Sequence, residues 1–123
     1  MTRLIQISNL NKDTQPVLAK NCTHFMQKLK GLMFEPSLAD HSGILLDEQS
    51  DSSVTTSIHM LFMNFDITAV WINSNKQVVD VKLAKKWALA YFPKRPARYI
   101  LETSPARIND FAIGDQLSFS NVE

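Results

Sequence analysis

One cysteine, Cys22, is all that the 123-residue chain contains. That excludes an intrachain disulfide and any all-cysteine metal site. Glycine is scarce, with three residues, and the chain carries no Gly-x-Gly-x-x-Gly, no phosphate-binding loop, no His-Glu-x-x-His and no Gly-x-Ser-x-Gly. Those gaps weigh against nucleotide hydrolysis, thermolysin-like proteolysis and esterase chemistry at a nucleophile elbow. A dominant charge is missing too: 13 Lys and Arg against 12 Asp and Glu leave a formal charge of +1, too balanced to attract a polyanion by its total alone. There is no apolar run long enough to cross a bilayer, and the opening Met1 to Ser8 lacks the apolar segment and cleavage site of a secretory signal. The expectation is a cytoplasmic protein with no membrane partner.

What is present suits one domain over residues 1–123, with an apolar fraction of 45% that is ordinary for a globular protein. The stretch Ile58 to Asn73 holds the longest apolar run. Within it Phe65, Ile67, Ala69 and Trp71 alternate with Asp66 and Thr68, which is the period of a strand with one buried face. Val70 and Ile72 make the second face apolar at that end, so another layer should cover it. After the polar break Asn73 to Lys76, Val79, Val81 and Leu83 alternate with Asp80 and Lys82, and a hairpin is the simplest arrangement.

Around this hairpin the other elements read as short. Leu4, Ile5 and Ile7 mark one strand and Val17 to Cys22 another. Thr23 can cap a helix bearing Phe25, Met26, Leu29, Leu32 and Met33 on one face, closed near Gly31 before Pro36. Gly43 to Leu46, a brief apolar run, reads as strand, and the polar segment Asp47 to Thr56 as the loop that follows it. Lys85 to Pro96 reads as a long crossing loop. A strand follows over Arg98 to Glu102, with Arg98, Ile100 and Glu102 on its less buried face. Ser104-Pro105 opens a short helix through Phe111, ended near Gly114, and Asp115 to Phe119 supplies a last strand. The fold class is mainly β with short helices.

Several residues could carry chemistry. His59, between Ile58 and Met60, could line a cleft, and its structural role would be that of a hydrogen-bonded core histidine. Cys22, His24, His41 and His59 offer sulfur and nitrogen donors, but their spacing matches no zinc signature, so no metal or cofactor is expected. Met26 and Met33 repeat at helical spacing and are better read as core filling than as soft-metal ligands. From Lys76 to Arg98 seven basic residues occur with Asp80 as the sole acid, interleaved with Trp87, Tyr91, Phe92 and Tyr99. Such aromatics are ordinarily core and such lysines ordinarily solvated surface. Single-stranded nucleic acid gripped by Lys85, Lys86, Trp87, Lys94 and Arg95 is the alternative.

Lys30 to Phe34, Gly43-Ile44-Leu45, Ile58-His59-Met60, Ile67 to Ile72, Ala97 to Glu102 and Gly114-Asp115 together resemble, in order and spacing, the bacterial and archaeal family known as domain of unknown function 192, an uncharacterised ancient conserved region. The resemblance covers roughly residues 14–120. It implies a compact β-sandwich or jelly-roll-like domain with short helices at its ends, and no established reaction. Members occur with and without secretion signals, and this chain looks like the latter kind. His59-Met60 matches the family's central motif. The triplet that follows it in the family, Pro-Leu-Asp or Pro-Ile-Asp, is here Asp66-Ile67-Thr68, so an essential aspartate at the last position is not retained. Glu102 matches the family carboxylate, and Ala106 stands where the family has a glycine. Gly31 and Gly114 match family glycines and read as permissive backbone positions.

Three functions follow as expectations. The first is a non-enzymatic ligand-binding or accessory domain that takes a small molecule at a sheet edge, with His59, Met60 and Glu102 around the site. The second is a carbohydrate-type hydrolase pairing Glu102 with Asp66 or Asp115, since glycoside hydrolysis needs two carboxylates. The third is the nucleic-acid surface of residues 85–98. Nothing in the residues fixes an oligomeric state.

Overall fold

A computed structural model describes residues 3–22, 39–60, 63–88 and 90–122. The helix expected from Thr23 to Met33, with His24 and Gly31, lies outside the described residues. Seven strands follow in chain order: β1 (Arg3–Asn9), β2 (Val17–Cys22), β3 (Ser42–Ser52), β4 (Ile67–Ile72), β5 (Val78–Ala84), β6 (Ala97–Thr103) and β7 (Leu117–Val122). A 3-10 helix, Pro105–Asp110, joins β6 to β7. All strands belong to one sheet in the order β5-β4-β6-β3-β2-β1-β7, so the mainly β class read from the sequence is what the chain forms.

The expected hairpin is present. β4 pairs antiparallel with β5 from Ile67↔Ala84 to Ile72↔Val78, with a bulge after Trp71. Its turn is built by Asn73, whose Oδ1 accepts from Asn75 N at 2.9 Å and Gln77 N at 3.0 Å, while Lys76 takes a left-handed φ of 64°. Asparagine supplies this local acceptor readily, which is why it opens tight turns.

The two end strands of the sheet also meet. Gln77 bridges Gln116, Leu117 N donates to Lys76 O at 2.8 Å, and Val78 N donates to Asp115 O at 2.9 Å. The sheet therefore curls until β5 approaches β7. One buried cluster takes side chains from every strand, among them Ile7, Val17, Leu45, Val70, Val78, Leu101 and Leu117, and must fill the concave side. A second cluster lies on the other face, where Ile44, Leu46, Ala69, Trp71 and Ile100 are covered by Ile58, Met60 and Met63. The apolar enclosure of both faces thus comes from a single curled sheet and its covering segment, and it explains why β4 is apolar on both sides.

One boundary and one face differ from the sequence reading. β3 continues to Ser52, because Asp47 is tied across to β6: Arg98 donates from Nε to Oδ1 at 2.9 Å and from Nη2 to Oδ2 at 3.1 Å. On β6 the face of Ile100 and Glu102 is buried rather than solvated, because the covering segment packs over the inner part of that face.

Gly43 is required for close approach between strands. A Cβ there would sit 2.8 Å from the backbone oxygen of Glu102, 3.0 Å from Val17 Cγ1 and 3.3 Å from Leu101 Cδ1. A backbone oxygen cannot step aside as a side chain can. Gly43→Ala should lower stability by about 1–3 kcal/mol, read as a fall in the urea midpoint at unchanged slope.

Candidate functional site

The site is built around Glu102. Alternation along β6 turns Tyr99 and Leu101 toward the concave cluster and Ile100 toward the opposite one, so Glu102 faces outward with Ile100. Its register partners are Ile44 on β3 and Ala69 on β4, and both belong to the covered apolar cluster. Glu102 as a residue is only 7% exposed, and no hydrogen bond or ion pair reaches its carboxyl among the described residues. A charge in such surroundings is poorly solvated, and burial pushes the Glu102 carboxyl up to about 7.

Cys22, at the end of β2, is buried on the same face. Burial, and after it the charge of Glu102, raise its thiol above the ordinary range, while Lys20 pulls the other way. A thiol held protonated is a poor nucleophile. Met60 packs into this face, but His59 points to solvent: Ile58 and Met60 are buried on either side of it. The structure thus joins Met60 and Glu102 to one apolar face and sends His59 away from it.

The carboxylates proposed as partners of Glu102 are occupied elsewhere. Asp66 Oδ1 accepts from Lys86 N at 2.8 Å, and its Oδ2 lies 3.6 Å from Lys85 Nζ. Asp115 Oδ2 accepts from Asn9 Nδ2 at 2.8 Å and Ala112 N at 2.9 Å. Both brace loops. His41 is exposed at the entry to β3, and no group of three or more His, Cys, Asp and Glu side chains converges as for a metal among the described residues.

The segment 85–96 packs differently from the sequence reading. Trp87 is 54% exposed and Phe92 52%, so these two aromatics are not core. The loop is fixed by its backbone: Met60 N donates to Ala88 O at 3.0 Å, Trp87 N to Met60 O at 2.8 Å, and Ile58 and Tyr91 exchange bonds of 3.0 and 2.8 Å. Buried Asp80 secures the far end, accepting from Lys94 N at 3.0 Å with Lys82 Nζ 3.4 Å away. The single acid of the basic stretch is thus a structural anchor.

Sequence reasoning passed over Arg107. Its buried guanidinium donates from Nη1 to Asp40 O at 2.8 Å, from Nη2 to Gln15 O and from Nε to Asp110 Oδ2. A charged residue within a segment that already read as helix gave no signal of burial.

Comparison with known proteins places this geometry in context. The profile of the family described as DUF192, Uncharacterized ACR, matches residues 7–119. The UPF0127 protein of Thermococcus kodakarensis is 35% identical over 101 residues, covering 80% of this chain and 62% of that protein. The UPF0127 protein of Pyrococcus furiosus is 33% identical over 102 residues, covering 80% and 84%. For the Thermococcus relatives the chain spans less than two thirds of their length. Among solved structures, a candidate transcription regulator from Sinorhizobium meliloti shares the fold with a TM-score of 0.82 at 17% identity, over 97% of this chain and 94% of that one. A protein of unknown function from Novosphingobium aromaticivorans gives 0.74 at 14% identity, over 94% and 83%.

Proposed function

Because the chain belongs to the DUF192 family of uncharacterised proteins, the functional reading must come from the site itself, and we propose a non-enzymatic domain that holds a small amphipathic molecule at Glu102. The observation that supports it is a carboxyl buried on an apolar face without a partner among the described residues. Leaving such a group unsatisfied is costly, about 1–3 kcal/mol for a neutral group and more for a charged one. A ligand that brings an N–H donor to the carboxyl while its apolar body displaces part of the cover over Ile44 and Ala69, both buried in the free protein, would recover that energy. Paired-carboxylate hydrolysis has less support, since Asp66 and Asp115 are committed to loop contacts.

Straight-chain primary amines of increasing length make a direct probe. At least one should raise the melting temperature of the protein at pH 7, with the gain growing with chain length and absent from Glu102→Gln. Equal shifts in both proteins, or none in either, would overturn the reading.

A further inference from the structure

We propose that residues 85–88 and 90–95 form a docking surface for single-stranded nucleic acid, with Trp87 and Phe92 as stacking platforms and Lys86, Lys94 and Arg95 as phosphate contacts. This surface is separate from the Glu102 face and stands on different observations.

Exposure of the rings comes first. A half-exposed tryptophan and a half-exposed phenylalanine lie five positions apart on one loop. Trp87 also adopts a φ of 67°, a left-handed conformation that a bulky side chain rarely takes and that surrounding contacts must enforce. Here they do: the Met60 carbonyl accepts from Trp87 N at 2.8 Å, and Lys85 O accepts from Ala88 N at 3.3 Å. The backbone is thus held against its own preference while the ring stands half in water.

Rigidity comes second. Tyr91 Oη accepts from Lys85 N at 3.0 Å, which brings the Lys85-Lys86-Trp87 end of the loop beside the Tyr91-Phe92 end. Lys82 Nζ donates to Phe92 O, fixing the second ring's backbone to β5. A platform already ordered loses little freedom on binding, so more of each stacking contact appears as affinity.

Charge comes third. Lys86, Lys94 and Arg95 are exposed and make no ion pair among the described residues, whereas Lys82 and Lys85 are engaged by Asp80 and Asp66. Asp80, the only acid between residues 76 and 98, is buried and contributes no repulsion at the surface. The loop therefore presents three uncommitted cations, Lys86 next to Trp87 in sequence and Lys94 and Arg95 shortly after Phe92. Two rings bracketed by cations fit a polymer that carries stackable bases beside phosphates. A duplex hides its base faces, so a single strand is the form these rings would select.

The test uses the intact protein and fluorescently labelled 12-nucleotide mixed-sequence oligonucleotides, single-stranded and duplex, in about 20 mM salt. Anisotropy should show tighter binding of the single strand, with affinity falling as salt rises at a log–log slope of about −2, as three contacts on a single strand require. Trp71 is fully buried, so quenching of intrinsic fluorescence on binding should report Trp87 and vanish in Trp87→Ala. That variant should bind about tenfold more weakly, Trp87→Phe should restore most of the loss, and Lys86→Glu combined with Arg95→Glu should abolish binding. Absence of binding at this salt concentration would overturn the proposal, as would unchanged affinity in Trp87→Ala, or attachment to phosphatidylserine vesicles or a poly-glutamate peptide without attachment to the oligonucleotide.

Discussion

Between pH 4.5 and pH 8 the folded protein should lose about 3 kcal/mol of stability through Glu102 alone. Burial lifts its carboxyl to about 7 in the folded chain against an ordinary 4.5, and each unit of difference is worth about 1.4 kcal/mol. Over that interval the native state keeps a proton that the unfolded chain releases. The favourable contribution is therefore complete below the unfolded value of 4.5 and declines as pH rises through the folded value. Glu102→Gln keeps the shape and stays neutral, so it should match the parent near pH 4.5 and exceed it by about 3 kcal/mol at pH 8. Urea unfolding of both proteins across this range measures the difference directly, and a difference that does not change with pH would mean that the carboxyl is solvated or paired. The same comparison bears on the ligand reading, because an amine that binds the ionised carboxylate should flatten the parent's decline.

Arg107→Ala should be the most damaging single substitution, at about 3–5 kcal/mol. The guanidinium ties the approach to β2 at Gln15, the approach to β3 at Asp40 and the 3-10 helix at Asp110. Truncation leaves two carbonyls and a carboxylate without their donor, and breaking a buried charged network costs more than the network contributes when intact. Lysine should recover less than half, because one ammonium cannot reach three acceptors set for a planar fork. Thermal and urea unfolding of alanine, lysine and parent proteins will rank them, and near-equality of lysine with arginine would show that charge alone suffices.

The contrast between these residues shows what could be read in advance. The β4–β5 hairpin was legible because two alternating apolar runs flank an asparagine-rich break, and both the period and the turn chemistry are local. Ser104-Pro105 announced its helix for the same reason: Ser104 Oγ accepts from Ala106 N at 3.2 Å, within the segment it caps. Burial of Glu102 was not legible. Alternation along β6 assigns it to the face of Arg98 and Ile100 but does not say that Ile58, Met60 and Met63, some forty positions earlier, pack on that face. Arg107 finds its carbonyl partners 67 and 92 positions away, beyond any local pattern. Trp87 and Phe92 reversed the usual expectation for aromatics because the loop's backbone is consumed by Met60, Lys82 and Asp80, leaving the rings outside.

The pairing of β1 with β7 sets Leu4 opposite Val122. During synthesis from the amino terminus, the edge of β1 that β7 covers must wait with its amides and carbonyls open until β7 has left the ribosome. Closing so wide a loop is entropically expensive and slow compared with forming the β4–β5 hairpin. Assembly should thus begin at the β4–β5 hairpin, with β1 sealed by β7 afterwards.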